Sequence, residues 1–222
     1  MSNSLDAIEI ETAPNPSHAV IWLHGLGADG NDFAPIVPQL DLAGSPAIRF
    51  IFPHAPVRPV SINGGMPMRA WYDILNAELV RKEDEQGLRD SERTIQALIA
   101  RENARGIPTS KIVLAGFSQG SAMTLLAGLR LDQKLAGLIS LSGYLPLADK
   151  FAAERHSANQ DTPIFLAHGT LDPVVIFARG QATHQQLEEL GYSVNWKTYS
   201  MPHTVCLEEI DDMAQFLRKV LV

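Results

Sequence analysis

Five short, nearly continuous apolar runs constrain the fold of this chain more than any other feature of its sequence. They are Ala19–Leu23, Ile48–Phe52, Lys111–Ala115, Ala136–Leu141 and Pro163–Ala167. A strand with apolar residues at consecutive positions, rather than at alternate ones, is buried on both faces. Two further segments, Ile8–Thr12 and the more alternating Tyr192–Tyr199, are candidate outer strands. The runs therefore predict a mainly parallel sheet of about six to seven strands.

Helical patterns lie between these runs. Apolar residues at helical spacing form three stripes: Leu88, Ile95, Leu98 and Ile99; Ile176, Thr183, Leu187 and Leu190; and Ile210, Met213, Leu217 and Val220. The first stripe stops at Gly106 and Pro108, and a glycine followed by a proline is typical of a helix end. Alternating strands and helices predict one α/β domain over residues 1–222, with helices on both faces of the sheet and no large lid domain. The segment Ser61–Met68 is predicted to be a loop.

Composition narrows the class of protein further. The chain carries 18 lysines and arginines against 25 acidic residues, a net charge of −7, which argues against a nucleic-acid partner. A single cysteine, Cys206, excludes an internal disulfide and a cysteine-based zinc cluster. The N-terminal residues do not resemble a secretory signal, and the apolar runs are far shorter than a membrane span. We therefore expect a cytoplasmic protein without stable membrane insertion.

The most informative motif is Gly116-Phe117-Ser118-Gln119-Gly120. It follows the apolar run that begins at Lys111, and a helix-compatible segment, Ala122–Leu129, comes after it. A strand, a sharp Gly-x-Ser-x-Gly turn and a helix together form a nucleophile elbow, in which the serine hydroxyl projects from the end of the sheet. A chance occurrence of the five-residue motif would not be expected to have this strand before it and this helix after it. We therefore predict that Ser118 is a catalytic nucleophile.

An acid and a base are expected later in the chain, in that order. Asp172 lies in the turn after the run Pro163–Ala167, at the carboxyl end of a predicted strand, where active sites of open α/β sheets form. His203 lies between the last strand and the last helix and is the predicted general base, oriented by Asp172. His184 is the other histidine beyond Asp172, and its polar neighbours predict a surface position within a helix.

Two backbone N–H groups are predicted to form an oxyanion hole. One belongs to Gln119, directly after the nucleophile, and the other to Leu26 in the glycine-rich turn after Ala19–Leu23. We expect His24 to brace that turn rather than to take part in the chemistry. No metal or cofactor is required, since the histidines do not have the spacing of metal ligands.

Taken together, these motifs resemble the carboxylesterase and acyl-protein thioesterase family of α/β-hydrolases over nearly the whole chain. The shared segments are His24–Gly27, Pro53–Pro56, Met66–Asp73, Gly116–Gly120, His168-Gly169-x-x-Asp172 and Pro202-His203. One position departs from the pattern, because Ala28 stands where eukaryotic thioesterases of this family have an aspartate. The resemblance is therefore nearest to the bacterial carboxylesterase branch.

The resemblance implies hydrolysis of a small ester, with a thioester as a further candidate, through an acyl-enzyme on Ser118. The absence of a lid favours short-to-medium acyl chains. Met66, Met68 and Trp71 either bind the acyl chain or only cover the sheet edge, and Val175 faces either the acyl pocket or a partner subunit. Alternatives are an acyl-protein thioesterase or lysophospholipase with a defined lipidated substrate, and a catalytically silent binding module. A homodimer is left open.

Overall fold

A computed structural model describes residues 5–75 and 83–222, and a seven-stranded sheet organises them. The strands of this sheet are β1 (Ala7–Glu11), β2 (His18–Leu23), β3 (Ile48–Pro53), β6 (Ile112–Phe117), β7 (Gly137–Leu141), β8 (Ile164–Gly169) and β9 (Val194–Tyr199). Two more strands, β4 (Val57–Val60) and β5 (Met66–Arg69), pair with each other outside it. All five apolar runs and both outer candidates therefore form strands of one sheet, as predicted.

The spatial order of the sheet is β1-β3-β2-β6-β7-β8-β9. Only β1 runs antiparallel, along β3, while the six other strands run parallel to one another. The chain order reverses at β2, which lies between β3 and β6. Clefts at the carboxyl ends of strands beside such a reversal are where open α/β sheets bind ligands.

Helices cover both faces of the sheet, as the sequence predicts. They are α1 (Glu85–Ala104), α2 (Gln119–Arg130), α3 (Ala148–Glu154), α4 (Phe177–Glu189) and α5 (Leu207–Val220). The helices α1 to α4 contribute to one apolar cluster, which also contains Ile21 and Leu114 of the sheet. On the other face, α5 and the short 3-10 helix Ala34–Gln39 pack on side chains such as Phe50 and Phe165. Within the described residues, no helix is long and apolar enough to cross a lipid bilayer.

The predicted loop Ser61–Met68 is wrong in part. Residues Met66–Arg69 form β5, which pairs antiparallel with β4, and Ser61–Asn63 between them form a short 3-10 helix. Pro59 of β4 lies opposite Pro67 of β5. Proline is tolerated there because, among residues 5–75 and 83–222, no further strand pairs with this ribbon. The prolines concealed the strand character of the segment in the sequence.

Candidate active site

Ser118 lies at the sharp turn between β6 and α2. Its backbone has φ 55° and ψ −116°, a conformation that L-residues rarely adopt and that costs on the order of 1–3 kcal/mol. The flanking glycines allow the turn, because a Cβ on Gly116 would overlap the carbonyl oxygen of Gly120, and one on Gly120 would overlap that of Leu23. The elbow predicted from the motif is therefore present.

The hydroxyl of Ser118 and the side chains of His203 and Asp172 form one hydrogen-bonded chain. His203 Nε2 lies 2.8 Å from Ser118 Oγ, and His203 Nδ1 lies 2.6 Å from Asp172 Oδ2. A carboxylate only accepts hydrogen bonds, so the proton of a neutral His203 is on Nδ1 and Nε2 is left to accept from the serine hydroxyl. The structure brings together all three residues of the predicted triad.

Asp172 is held in place by the backbone that follows it. Its Oδ1 accepts N–H bonds from Val174 at 2.8 Å and from Val175 at 2.9 Å, and its side chain is fully buried. One oxygen thus faces His203 while the other is fixed by the loop. This arrangement leaves the carboxylate little freedom to turn away from the imidazole.

His168, which the sequence analysis did not single out as a site residue, packs beneath Asp172. Its Nε2 lies 2.7 Å from the carbonyl oxygen of Val175 and 3.5 Å from Asp172 Oδ2. Burial lowers the pKa of His168, so the neutral form with the proton on Nε2 fits these contacts. The signal was present in the His168-Gly169-x-x-Asp172 motif, but spacing alone does not show that the imidazole supports the carboxylate.

The loops that carry the acid and the base are packed directly against each other. Thr170 N–H donates to Tyr199 O at 2.8 Å, and Leu171 N–H donates to Met201 O at 3.1 Å. A Cβ on Gly169 would overlap the carbonyl oxygens of Met201 and Pro202. The close approach fixes the spacing between the loop after β8 and the loop after β9.

The predicted oxyanion residues, Leu26 and Gln119, border the same cleft as Ser118. The turn around Leu26 is tied on its carboxyl side, where Gly27 N–H donates to Arg69 O at 2.8 Å. His24 braces it from below: its Nδ1 lies 2.7 Å from Gly25 O, and its Nε2 accepts from Ala55 N–H at 3.0 Å. Burial lowers the pKa of His24, and the neutral imidazole suits both contacts.

The side chain of Gln119 has a second role that the motif alone did not reveal. Its Oε1 accepts from Trp71 N–H at 2.8 Å, and its Nε2 donates to Tyr72 O at 2.7 Å. The Gln119 amide is buried. It supplies the hydrogen-bond partners that the N–H of Trp71 and the carbonyl of Tyr72 would otherwise need from backbone or water. Gln119 therefore joins the nucleophile elbow to the segment that forms one wall of the cleft.

The cleft beside Ser118 has a volume of about 420 Å³. Besides Leu26, Ser118 and Gln119, it is lined by Ile62, Asn63, Tyr72, Ile74, Tyr144, Pro173, Val174, Val175, Ile176 and Arg179. Val175, which the sequence left open between the acyl pocket and a partner subunit, lines this cleft. The phenols of Tyr72 and Tyr144 are 2.8 Å apart, and burial raises the pKa of Tyr72 well above its usual value.

Three predicted substrate contacts do not line this cleft. Trp71 is fully buried behind the wall, and its Nε1 donates to His24 O at 2.9 Å. Met66 is 60% exposed on the β4–β5 ribbon. Met68 accepts a weak hydrogen bond from Asn63 Nδ2 at 3.4 Å, next to the cleft. Trp71 points away from the cleft because its indole N–H has an acceptor inside the core.

The remaining candidate histidine and the cysteine lie apart from this chemistry. His184 stacks on Trp196 with ring centroids 5.1 Å apart and lies 3.4 Å from Glu188. Cys206 is the residue before the first turn of α5 and packs on the apolar cluster of that face. In the part of the chain that the structure describes, no three His, Cys, Asp or Glu side chains come together as metal ligands would.

Comparisons with known proteins agree with this geometry. The model of the phospholipase/carboxylesterase family matches residues 5–221. Acyl-protein thioesterase 1 of Neurospora crassa is 45% identical over 216 residues, which cover 91% of this chain and 86% of that protein. Among solved structures, SOBER1 of Arabidopsis thaliana has a TM-score of 0.86 at 30% identity, covering 92% of this chain and 99% of its own. Zea mays acyl-protein thioesterase 2 has a TM-score of 0.82 at 29% identity, covering 97% and 99%.

Proposed function

This chain belongs to the phospholipase/carboxylesterase family, and we propose that it hydrolyses carboxylic esters and thioesters of short-to-medium acyl chains through an acyl-enzyme on Ser118. The observation that carries the proposal is the continuous hydrogen-bonded chain from Ser118 Oγ through His203 to Asp172. Such a chain is the arrangement by which serine hydrolases activate a hydroxyl group. The strained turn at Ser118 supports it further, since strain of this kind persists where function needs it.

The first half of the reaction forms the acyl-enzyme. Ser118 Oγ attacks the carbonyl carbon as its proton passes to His203 Nε2, and Asp172 stabilises the resulting imidazolium. The negative charge that develops on the carbonyl oxygen is bound by the N–H groups of Leu26 and Gln119. His203 then returns the proton to the leaving alcohol or thiol, and the acyl group remains on Ser118.

The second half repeats these steps with water. His203 removes a proton from the water molecule as it attacks the acyl carbon, and the same N–H groups bind the oxyanion. The proton then returns to Ser118 Oγ and the carboxylic acid leaves. None of these steps requires a metal ion or a cofactor.

A more defined role, as an acyl-protein thioesterase, is the second candidate. The Neurospora crassa relative is named acyl-protein thioesterase 1, and its 45% identity over most of both chains supports this candidate despite Ala28. A lysophospholipid is a further candidate substrate of the same kind. The placement of the chain nearest to the bacterial carboxylesterases stays a prediction.

Location and assembly belong to the same proposal. We expect the protein to act in the cytoplasm on small ester or thioester substrates. Three of the apolar side chains that line the cleft are exposed, Val174 at 58%, Ile62 at 40% and Ile176 at 38%. Such residues serve either substrate entry or contact with a second copy, so a homodimer remains a proposal that a sizing measurement tests.

Turnover of activated esters tests the catalytic assignment. We expect Ser118→Ala and His203→Ala each to lower kcat by about 10⁴-fold or more on 4-nitrophenyl esters. His184→Ala is the matched control, because His184 stacks on Trp196 and does not line the cleft, so its replacement should leave turnover near the wild-type value. A wild-type protein without turnover would indicate a silent binding module, and unchanged turnover in Ser118→Ala would disprove the mechanism.

A graded panel distinguishes the two candidate functions. Esters and thioesters with acyl chains of increasing length are compared by kcat/KM. A broad optimum at short-to-medium chains supports the general esterase. Activity confined to long-chain thioesters or to lysophospholipids would instead favour the more defined role.

A further inference from the structure

The cleft beside Ser118 contains a cation, Arg179, that forms no ion pair with the residues that the structure describes. Among the described residues that line the cleft, Arg179 is the one with a charged side chain. No carboxylate in residues 5–75 and 83–222 lies within ion-pair distance of it. Its Nη1 is shielded from solvent and has no hydrogen-bond partner in that part of the chain. A shielded guanidinium nitrogen without an acceptor is unfavourable unless a ligand or another group supplies one.

The obvious internal partner, Asp172, is already occupied. One carboxylate oxygen accepts from the backbone N–H groups of Val174 and Val175, and the other faces His203. Arg179 is therefore not the group that neutralises the Asp172 carboxylate. It lies in the first turn of α4, where its backbone N–H donates to Ile176 O at 2.9 Å.

The guanidinium is held in a defined position. Its Cζ lies 3.6 Å from the centroid of the Tyr144 ring, so the planar group rests on the aromatic face. Stacking of this kind uses the face of the guanidinium and leaves the N–H groups in its plane to bind acceptors. Arg179 is thus prepared to bind without ordering a flexible side chain at the moment of binding.

The surroundings strengthen the attraction for an anion. The cleft is otherwise lined mainly by apolar side chains, among them Ile62, Ile74, Val175 and Ile176. A charge next to apolar walls is less screened than one on an open surface, so its Coulomb interaction with a ligand is stronger. The volume of about 420 Å³ lies within the ~300–1,000 Å³ usual for small-molecule sites.

We propose that Arg179 binds an anionic group of the substrate, so that the preferred esters or thioesters carry a carboxylate or a phosphate apart from the scissile bond. This inference deepens the proposed function and depends on it. The anion can belong to the acyl chain or to the leaving group, since both pass through the same cleft. In either case Arg179 is a specificity-determining residue and takes no part in the proton transfers.

Paired substrates that differ only in charge test this proposal. For the acyl side, 4-nitrophenyl monoesters of dicarboxylic acids are compared with uncharged 4-nitrophenyl alkanoates of the same chain length. For the leaving-group side, acyl thioesters of a phosphate-bearing thiol are compared with those of the same thiol without phosphate. The quantity measured is the ratio of kcat/KM for the anionic substrate to that for the neutral one.

We expect Arg179→Met to lower this ratio by about 10- to 100-fold in at least one arm, the range for loss of a charge-assisted hydrogen bond. Arg179→Lys should retain part of the preference, because it keeps the charge without the planar fork. Arg93→Met is the matched control, since Arg93 is exposed on α1 and its replacement changes the net charge equally. That control should have the wild-type ratio.

Two results would overturn the proposal. The wild-type protein would show no preference for either anionic substrate, or Arg179→Met would lower kcat/KM equally for both members of each pair. The second result would mean that Arg179 only supports the Tyr144 ring. Neither result affects the serine-hydrolase assignment, which fails separately if the wild-type protein does not hydrolyse neutral esters or if Ser118→Ala does so equally well.

Discussion

The buried side chain of Gln119 offers the sharpest test of how this site is held together. Gln119→Met keeps the length of the side chain and leaves the backbone N–H of the oxyanion hole in place. It removes the acceptor of Trp71 N–H and the donor to Tyr72 O. The variant therefore separates the structural role of the amide from the catalytic role of the backbone.

The magnitude follows from the two peptide groups that lose their partners. Each unsatisfied buried polar group costs about 1–3 kcal/mol, so we expect the free energy of unfolding to fall by about 2–6 kcal/mol. That is a large share of the roughly 5–15 kcal/mol that stabilises an ordinary domain. For a chain of this length, each kcal/mol corresponds to about 2–4 °C in Tm.

Urea unfolding followed by tryptophan fluorescence measures this change, because Trp71 is buried next to the altered amide. Gln185→Met is the matched control, since Gln185 is exposed on α4 and its side chain donates a hydrogen bond to Glu189 on the same helix. We expect that control to lie within about 0.5 kcal/mol of the wild-type protein. A loss below about 1 kcal/mol in Gln119→Met, or one equal to the control, would refute the view that the amide holds the cleft wall.

Two further predictions concern acidic residues. Asp172→Asn should lower kcat on an activated ester by about 10⁴-fold, because an amide at this position no longer selects the imidazole tautomer, and a loss below about tenfold would contradict this role. Burial raises the pKa of Glu209 to about 8. The folded protein thus holds a proton that the unfolded chain releases, and the free energy of unfolding should fall as the pH rises from about 4.5 to about 8. Glu209→Gln should flatten that decline, as urea unfolding at several pH values would show.

The triad was predictable because each of its members has a local signal. Ser118 lies in a five-residue motif, and Asp172 and His203 each follow a strand that the apolar runs reveal. Parallel strands place their carboxyl ends at one edge of the sheet, so the order of strands alone brings the three residues near one another. The strands and the helical stripes were predictable for the same reason, since burial on both faces leaves a clear pattern in the sequence.

The walls of the cleft were much less predictable. Tyr144 and Arg179 have no motif, and they meet only because the loop after β7 packs against the first turn of α4. Trp71 shows the opposite error, because an aromatic residue in a loop near the site suggested a substrate contact. Its indole N–H finds an acceptor at His24 O inside the core instead. Side-chain direction, which decides both cases, is set by tertiary packing rather than by spacing along the chain.

The order of strands in the sheet determines which part of the triad is lost first when the protein begins to unfold. Asp172 follows β8 and Ser118 follows β6 in the interior of the sheet, whereas His203 follows β9, which forms one edge of it. An edge strand has hydrogen bonds along one side only and separates at a lower free energy than the central strands. Separation of β9 withdraws the imidazole while the nucleophile and the acid stay in place. Mild denaturation should therefore abolish turnover before the protein as a whole unfolds, and the gap between the two transitions measures the stability of the sheet's edge.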